Sequence, residues 1–199
     1  MQTPGKLSLD AKSLGVDFLS LSAHKLYAPK GIGLLYVKRR TRYQAYVIGG
    51  HQERGRRGGT ENVPHIVGFG KAAEMAFAGY ASEYQRVKRL RDRMESAILD
   101  QIPNSFVNGD RGNRLPNTSN IAFEFVEAEA VLMLLDQVGI CASSGSACTT
   151  GSLDPSHVLT AMGLTPMRAR GCVRFSLAIL STKRCQRLRA ISSMRSPQL

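Results

Sequence analysis

The 199-residue sequence contains no tryptophan, and aromatic residues make up only 7% of it. A surface that stacks sugars or single-stranded bases needs several aromatic faces, so this composition gives such functions little support. Long apolar runs are also missing. Val131–Leu135 falls far short of the ~18 residues a membrane span requires. Met1-Gln2-Thr3-Pro4-Gly5 is not the charged-then-apolar opening of a signal peptide, and the expected location is cytoplasmic, with no membrane partner. Cysteine is limited to Cys141, Cys148, Cys172 and Cys185, without a Cys-x-x-Cys pair or a Cys/His spacing of the zinc type. No metal site and no disulfide framework are therefore expected.

Acidic residues are the other shortage: 15 Asp and Glu stand against 27 Lys and Arg, a net charge of +12. The excess is local. Residues 38–57 hold seven basic residues against Glu53 alone, and residues 181–199 hold five against none. A nucleic-acid binder lays its basic residues along a folded face, whereas here a loop and a terminus carry almost all of the excess. Nucleic acid is accordingly disfavoured as a partner. The apolar share of 43% is enough to bury a core of one or two domains, and disorder is excluded as the default.

Asp17–Ser22 and Gly33–Val37 have the length and content of short strands, joined through Lys25 and the Pro29-Lys30-Gly31 turn. Residues 49–60 show no helical or strand period. A helix is expected from about Val63, capped by Thr60 or Asn62, and a second from about Ser82 to Pro103, with Val87, Leu90, Met94, Ala97 and Ile98 at helical spacing. Beyond Pro103 the pattern is α+β, with strands at 105–107, 119–125, 139–142 and 172–177 and helices at 127–137 and 155–162. A domain boundary is expected near residue 85.

Three places carry candidate chemistry. Lys25 follows an apolar strand directly, where an amine can face a cleft and condense with a carbonyl; most lysines, however, serve only solvation. Arg174, in Val173-Arg174-Phe175-Ser176, is a lone charge among apolar neighbours and needs either a protein carboxylate or an anionic substrate. Cys141 and Cys172 lie in apolar stretches and read as packing. Cys148 lies in Ser143-Ser144-Gly145-Ser146-Ala147-Cys148-Thr149-Thr150-Gly151-Ser152, too polar and small to form core, and reads as an exposed loop. The Gly- and Arg-rich stretch at 49–60 admits a phosphate-approaching loop or an RNA-binding segment, but it is not a P-loop.

In order along the chain, Ser22-Ala23-His24-Lys25 with Pro29-Lys30-Gly31-Ile32-Gly33, then Gly49–Asn62, then Ser143–Cys148, then Val173–Leu177, resemble the C-terminal half of the cysteine desulfurases of the NifS/IscS family. The Gly-His-Gln-Glu-Arg-Gly-Arg-Arg form is nearest the nitrogenase-associated branch. The resemblance covers about residues 2–182 and implies an α/β protein, the PLP-dependent transferase fold type I. Residues 1–85 would be part of the large cofactor domain with an incomplete mixed or parallel sheet, 86–182 a small α+β domain, and 183–199 a divergent basic tail. It implies pyridoxal 5'-phosphate as cofactor, with Lys25 as the Schiff-base lysine, Ser22 and His24 as phosphate ligands, and Gln2 against the phenolic oxygen. Thr60 would be a phosphate ligand offered to the neighbouring subunit of a homodimer. Arg174 would clamp the carboxylate of L-cysteine, and Cys148 would be the nucleophile that leaves as a persulfide. An iron–sulfur scaffold or another sulfur-acceptor protein would then take the sulfur.

The family's pyridinium-pairing aspartate, its ring-stacking histidine and further phosphate ligands lie upstream of the position Gln2 occupies, and after Leu177 the family pattern is lost. The expectation is a truncated or split gene product with an altered frame at its C-terminus. Beside the desulfurase reading stands another class, a catalytically silent fragment serving as an interaction or sulfur-accepting module.

Overall fold

The computed structural model describes residues 2–145, 155–178 and 181. The chain divides into two compact units, Met1–Ser82 and Glu83–Leu199.

In the first unit, β1 (Phe18–Ser22) and β2 (Gly33–Val37) pair antiparallel, from Phe18 opposite Val37 to Ser22 opposite Gly33. Between them the chain makes a single 3-10 turn, Ala23–Leu26, closed by Tyr27 in the left-handed region at φ 62°. The turn is held from inside: Ala23, Leu26 and Phe69 are buried together, with Leu21, Ala28, Ile32 and Ala76 packed against them. Gln52–Gly55 forms a short helical turn, α1, in which Glu53 and Arg54 both take positive φ. The 49–60 segment is thus less featureless than its composition implies. Arg57 stabilises it by donating to Gly59 O at 2.6 Å and to Glu53 Oε1 at 3.3 Å.

A single helix, α2 (Val63–Gln101, 39 residues), replaces the two expected helices. Gly79 and Ser82 weaken the pattern near the expected break, but neither residue forbids helical backbone, and no proline lies between Pro64 and Pro103. Residues up to Ser82 belong to the first unit and those from Glu83 to the second.

The second unit is built on an antiparallel sheet in the order β3-β4-β5, with β3 at Ser105–Val107, β4 at Thr118–Phe123 and β5 at Cys172–Ser176. Strand alternation splits its side chains between two faces. Ile121, Phe123, Val173 and Phe175 pack with Val87, Met94 and Ile98 of α2 and with Ala128, Val131 and Leu135 of α3 (Ala128–Gln137). Ala122 and Cys172 meet Leu159 of α4 (His157–Ala161) and Ala169 of α5 (Pro166–Arg170) on the other. The helix α5 was not anticipated, although Thr165 caps it by accepting from Arg168 N at 3.3 Å and Pro166 opens it.

Residues 139–142 do not form the expected strand. Gly139, at φ 74°, ends α3: its N–H donates to Asp136 O at 2.8 Å and that of Ile140 to Leu135 O at 2.9 Å, a Schellman closure. Cys141 is consequently exposed, a correction to its reading as packing, whereas Cys172 is buried. Strand β4 stops at Phe123, because Phe125 turns the chain with φ 66°.

Two buried charges fix the sheet to α2. Arg91 donates to Leu115 O at 2.9 Å and to Thr118 O at 3.4 Å, and pairs with Asp92 at 2.8 Å. Glu95 accepts both Nη groups of Arg114 at 2.8 and 2.9 Å and the Ser119 hydroxyl at 2.6 Å, with Arg111 at 3.1 Å. The loop between β3 and β4 and the start of β4 are thereby set, and β4 in turn sets the register of β5.

Candidate active site

In the first unit the end of β1 delivers Ser22, and the 3-10 turn delivers His24 and Lys25. The turn buries Ala23 and Leu26 and leaves His24 exposed and Lys25 half-buried. Four consecutive residues thus alternate between core and solvent because one tight turn cannot bury all of them. Lys6, which the sequence pattern did not single out, completes this corner. Its ammonium donates to Gln2 O at 3.0 Å. Burial, and after it the positive charge of Lys25, hold the Lys6 pKa below the ordinary lysine value. Lys6 is thereby tied to the backbone of Gln2, and the charge of Lys25 acts on it. The available signal was the spacing of Gln2 and Lys6, four residues apart across Pro4-Gly5, which suits a turn closed by the lysine side chain.

Among the described residues neither Lys6 nor Lys25 has a carboxylate partner. Asp10 is engaged by Ser13 Oγ at 2.6 Å and by two backbone N–H groups, and Asp17 by Lys38 at 3.6 Å. The donor set, two ammonium groups with a hydroxyl and an imidazole, suits an anionic ligand that also offers a carbonyl carbon. Pyridoxal phosphate fits that description. Thr60 is exposed ahead of α2, and no hydrogen bond joins it to His24 or Lys25 among the described residues.

In the second unit Arg174 occupies the middle of β5, opposite Asn120 of β4, and is half-buried. By strand alternation it shares a face with Cys172. Its backbone closes a two-way bridge with Ser143: Arg174 N donates to Ser143 O at 2.6 Å and Ser143 N to Arg174 O at 3.1 Å. Ser143 Oγ then donates to Gly145 O at 2.9 Å. The segment leading toward Cys148 is therefore anchored on the residue expected to clamp substrate, although Cys148 itself lies outside the described residues. The Arg174 guanidinium has no carboxylate partner among the described residues, so the protein salt bridge that the sequence left open is not found there. The Cys172 thiol, on the same face as Arg174, is unsuited to attack. Burial raises the Cys172 pKa despite the Asn108 contact at 3.2 Å.

The class-V aminotransferase profile matches residues 1–184. The chain is 55% identical over 183 residues to a cysteine desulfurase of Nostoc sp., which covers 92% of this chain and 46% of that protein. It is 54% identical, with the same coverage, to the cysteine desulfurase NifS of Azotobacter vinelandii. An X-ray structure of a NifS-like protein from Rickettsia africae superposes with a TM-score of 0.85 at 33% identity, over 97% of this chain and 51% of that one. The chain thus spans about half the length of the curated relatives it matches, and it has the fold type I architecture of the NifS-like structures over that half. A match of this extent makes the chain a member of the class-V aminotransferase family.

Proposed function

We propose that this chain supplies the lysine, substrate-clamp and nucleophile half of a cysteine desulfurase. The observation that carries the reading is Lys25: a half-buried amine on a core-anchored turn, beside a second ammonium and without a carboxylate partner among the described residues. Ser22 and His24 would hold the phosphate of pyridoxal 5'-phosphate, Gln2 its phenolic oxygen and Lys25 its carbonyl carbon. Thr60 would serve the site of a neighbouring subunit. When bound, the cofactor supplies an electron sink for the substrate α-carbon.

Every other part of the chemistry falls to side chains. Arg174 binds the α-carboxylate of L-cysteine through two parallel N–H donors, which fixes the amino acid for attack. Lys25, displaced as a free amine, takes the α-proton and returns one later. The Cys148 thiolate forms a bond to the substrate sulfur as the carbon–sulfur bond breaks. The electron pair of that bond stays with carbon, which ends protonated as L-alanine, and Cys148 ends as a persulfide. An iron–sulfur scaffold or another acceptor protein then removes the outer sulfur. The role of Cys148 rests on the sequence resemblance.

The second reading that the sequence leaves open is a catalytically silent module. Sulfide release from L-cysteine by the 199-residue chain separates the two. The desulfurase reading predicts release with pyridoxal phosphate and dithiothreitol, abolished by Lys25→Ala and by Cys148→Ala. Cofactor binding without sulfide, in the chain and its variants alike, would establish the silent module instead.

A further inference from the structure

One row across the sheet of the second unit is polar from end to end. Asn108 N donates to Asn120 O at 2.9 Å, Asn120 stands opposite Arg174 in the β4–β5 register, and Arg174 bridges Ser143. Because the N–H and C=O of Arg174 are both spent on Ser143, Asn120 and Arg174 form a non-hydrogen-bonded antiparallel pair. In such a pair the Cα atoms approach to about 4.5 Å and the side chains lie closer than in a hydrogen-bonded one. Asn120 and Arg174 therefore leave the same face of the sheet as direct neighbours, both half-buried. The other side chains of the row have no donor to spare. Asn108 Nδ2 uses its two N–H groups on Asn120 Oδ1 at 2.6 Å and on Cys172 Sγ at 3.2 Å, and the Ser143 hydroxyl donates to Gly145 O at 2.9 Å. With Asn120 Oδ1 held as acceptor, Asn120 Nδ2 is turned away from Asn108, and β5 lies on the other side of β4. Among the described residues neither Asn120 Nδ2 nor the Arg174 guanidinium has a hydrogen-bond partner. Strand alternation places Thr118, Ala122, Cys172 and Ser176 on the same face, so β4 and β5 supply no acid to it.

We propose that Asn120 is a further ligand-binding residue, one whose amide N–H donates to the carboxylate that Arg174 binds. The proposal rests on reading Arg174 as the substrate clamp and adds a second donor to it. A carboxylate offers about four lone-pair sites on its two oxygens, and a guanidinium that binds it through two parallel N–H groups takes up only two. A donor fixed beside the guanidinium fills one of the others. Asn108 sets the orientation of that donor before any ligand arrives, so little is lost in ordering it.

NMR titration of the isotope-labelled full chain tests this with two probes: L-alanine, which carries the substrate's carboxylate without its thiol, and L-alaninamide, which lacks the anion. In the wild type L-alanine should shift the Asn120 Nδ2 and Arg174 Nε resonances with the same dissociation constant, and L-alaninamide should shift neither. Asn120→Ala should weaken L-alanine binding about tenfold, as expected for one hydrogen bond to a charged group. Asn120→Asp, which keeps the shape but replaces the donors with a charge, should weaken it at least as much. The wild-type titration does not depend on how well any variant folds, and a purely structural Asn120 would leave its Nδ2 resonance indifferent to L-alanine. That result, with Arg174 still responding, overturns this proposal alone, as does an Asn120→Ala chain that binds L-alanine as tightly as the wild type. Equal shifts from both probes also overturn it, since no anion is then being read. Indifference of Arg174 to both probes refutes the clamp reading and this proposal with it.

Discussion

Glu95 is almost fully buried, and four hydrogen-bonding or ionic contacts converge on its carboxylate. Burial by itself would raise its pKa, but Arg114, Ser119 and Arg111 outweigh burial and the net shift is downward. A carboxylate with a lowered folded-state pKa stabilises the fold fully above its unfolded pKa, and that contribution disappears as pH falls through the lower folded value. Glu95→Gln should accordingly flatten the acid limb of stability below about pH 4.5, the region of the unfolded glutamate pKa. Glu95→Ala should cost about 3 kcal/mol or more at neutral pH, since it strands Arg114. Urea unfolding across pH checks both, and an unchanged acid limb in Glu95→Gln would contradict the assignment. Individual residues were unevenly legible. Arg174 stands out as a charge between apolar neighbours, and Lys25 as an amine directly after an apolar strand. Lys6 is legible only through its spacing from Gln2, four residues apart across Pro4-Gly5. Cys141 was misread because its apolar neighbours feed a helix closure instead of a strand.

At the scale of elements, the strands were legible wherever alternation met a bounded run, as in Gly33–Val37, Ser105–Val107 and Cys172–Ser176. Errors came from punctuation. Gly139 reads as the start of a strand although it closes α3, and a second helix is expected from about Ser82 although α2 runs through that position. Gly79 has no neighbour within 4 Å of an added Cβ. Gly79→Ala should therefore stabilise the chain by about 0.5–1 kcal/mol, the helix-interior difference between the two residues. Gly171→Ala should do the opposite and by far more, because its Cβ would meet the carbonyl oxygens of Phe123 and Val126. Thermal unfolding of the two variants side by side measures this contrast. A destabilised Gly79→Ala would mean that α2 is interrupted in solution.

For the whole molecule, the opening shortage of acids takes on a more particular meaning. In the first unit Lys6 and Lys25 lack carboxylate partners among the described residues, as does Arg174 in the second, which the desulfurase reading assigns to the substrate carboxylate. The length has a corresponding meaning. At about half the span of its relatives, the chain carries the lysine, clamp and nucleophile positions of the proposed reaction. Whether the Lys25 corner is a cofactor site is therefore the central question. Incubating the chain with pyridoxal phosphate, reducing with borohydride and mapping the peptides by mass answers it most directly. The account predicts a pyridoxyl group on Lys25, lost in Lys25→Ala without transfer to another lysine; labelling spread over exposed lysines and unaffected by Lys25→Ala would contradict it.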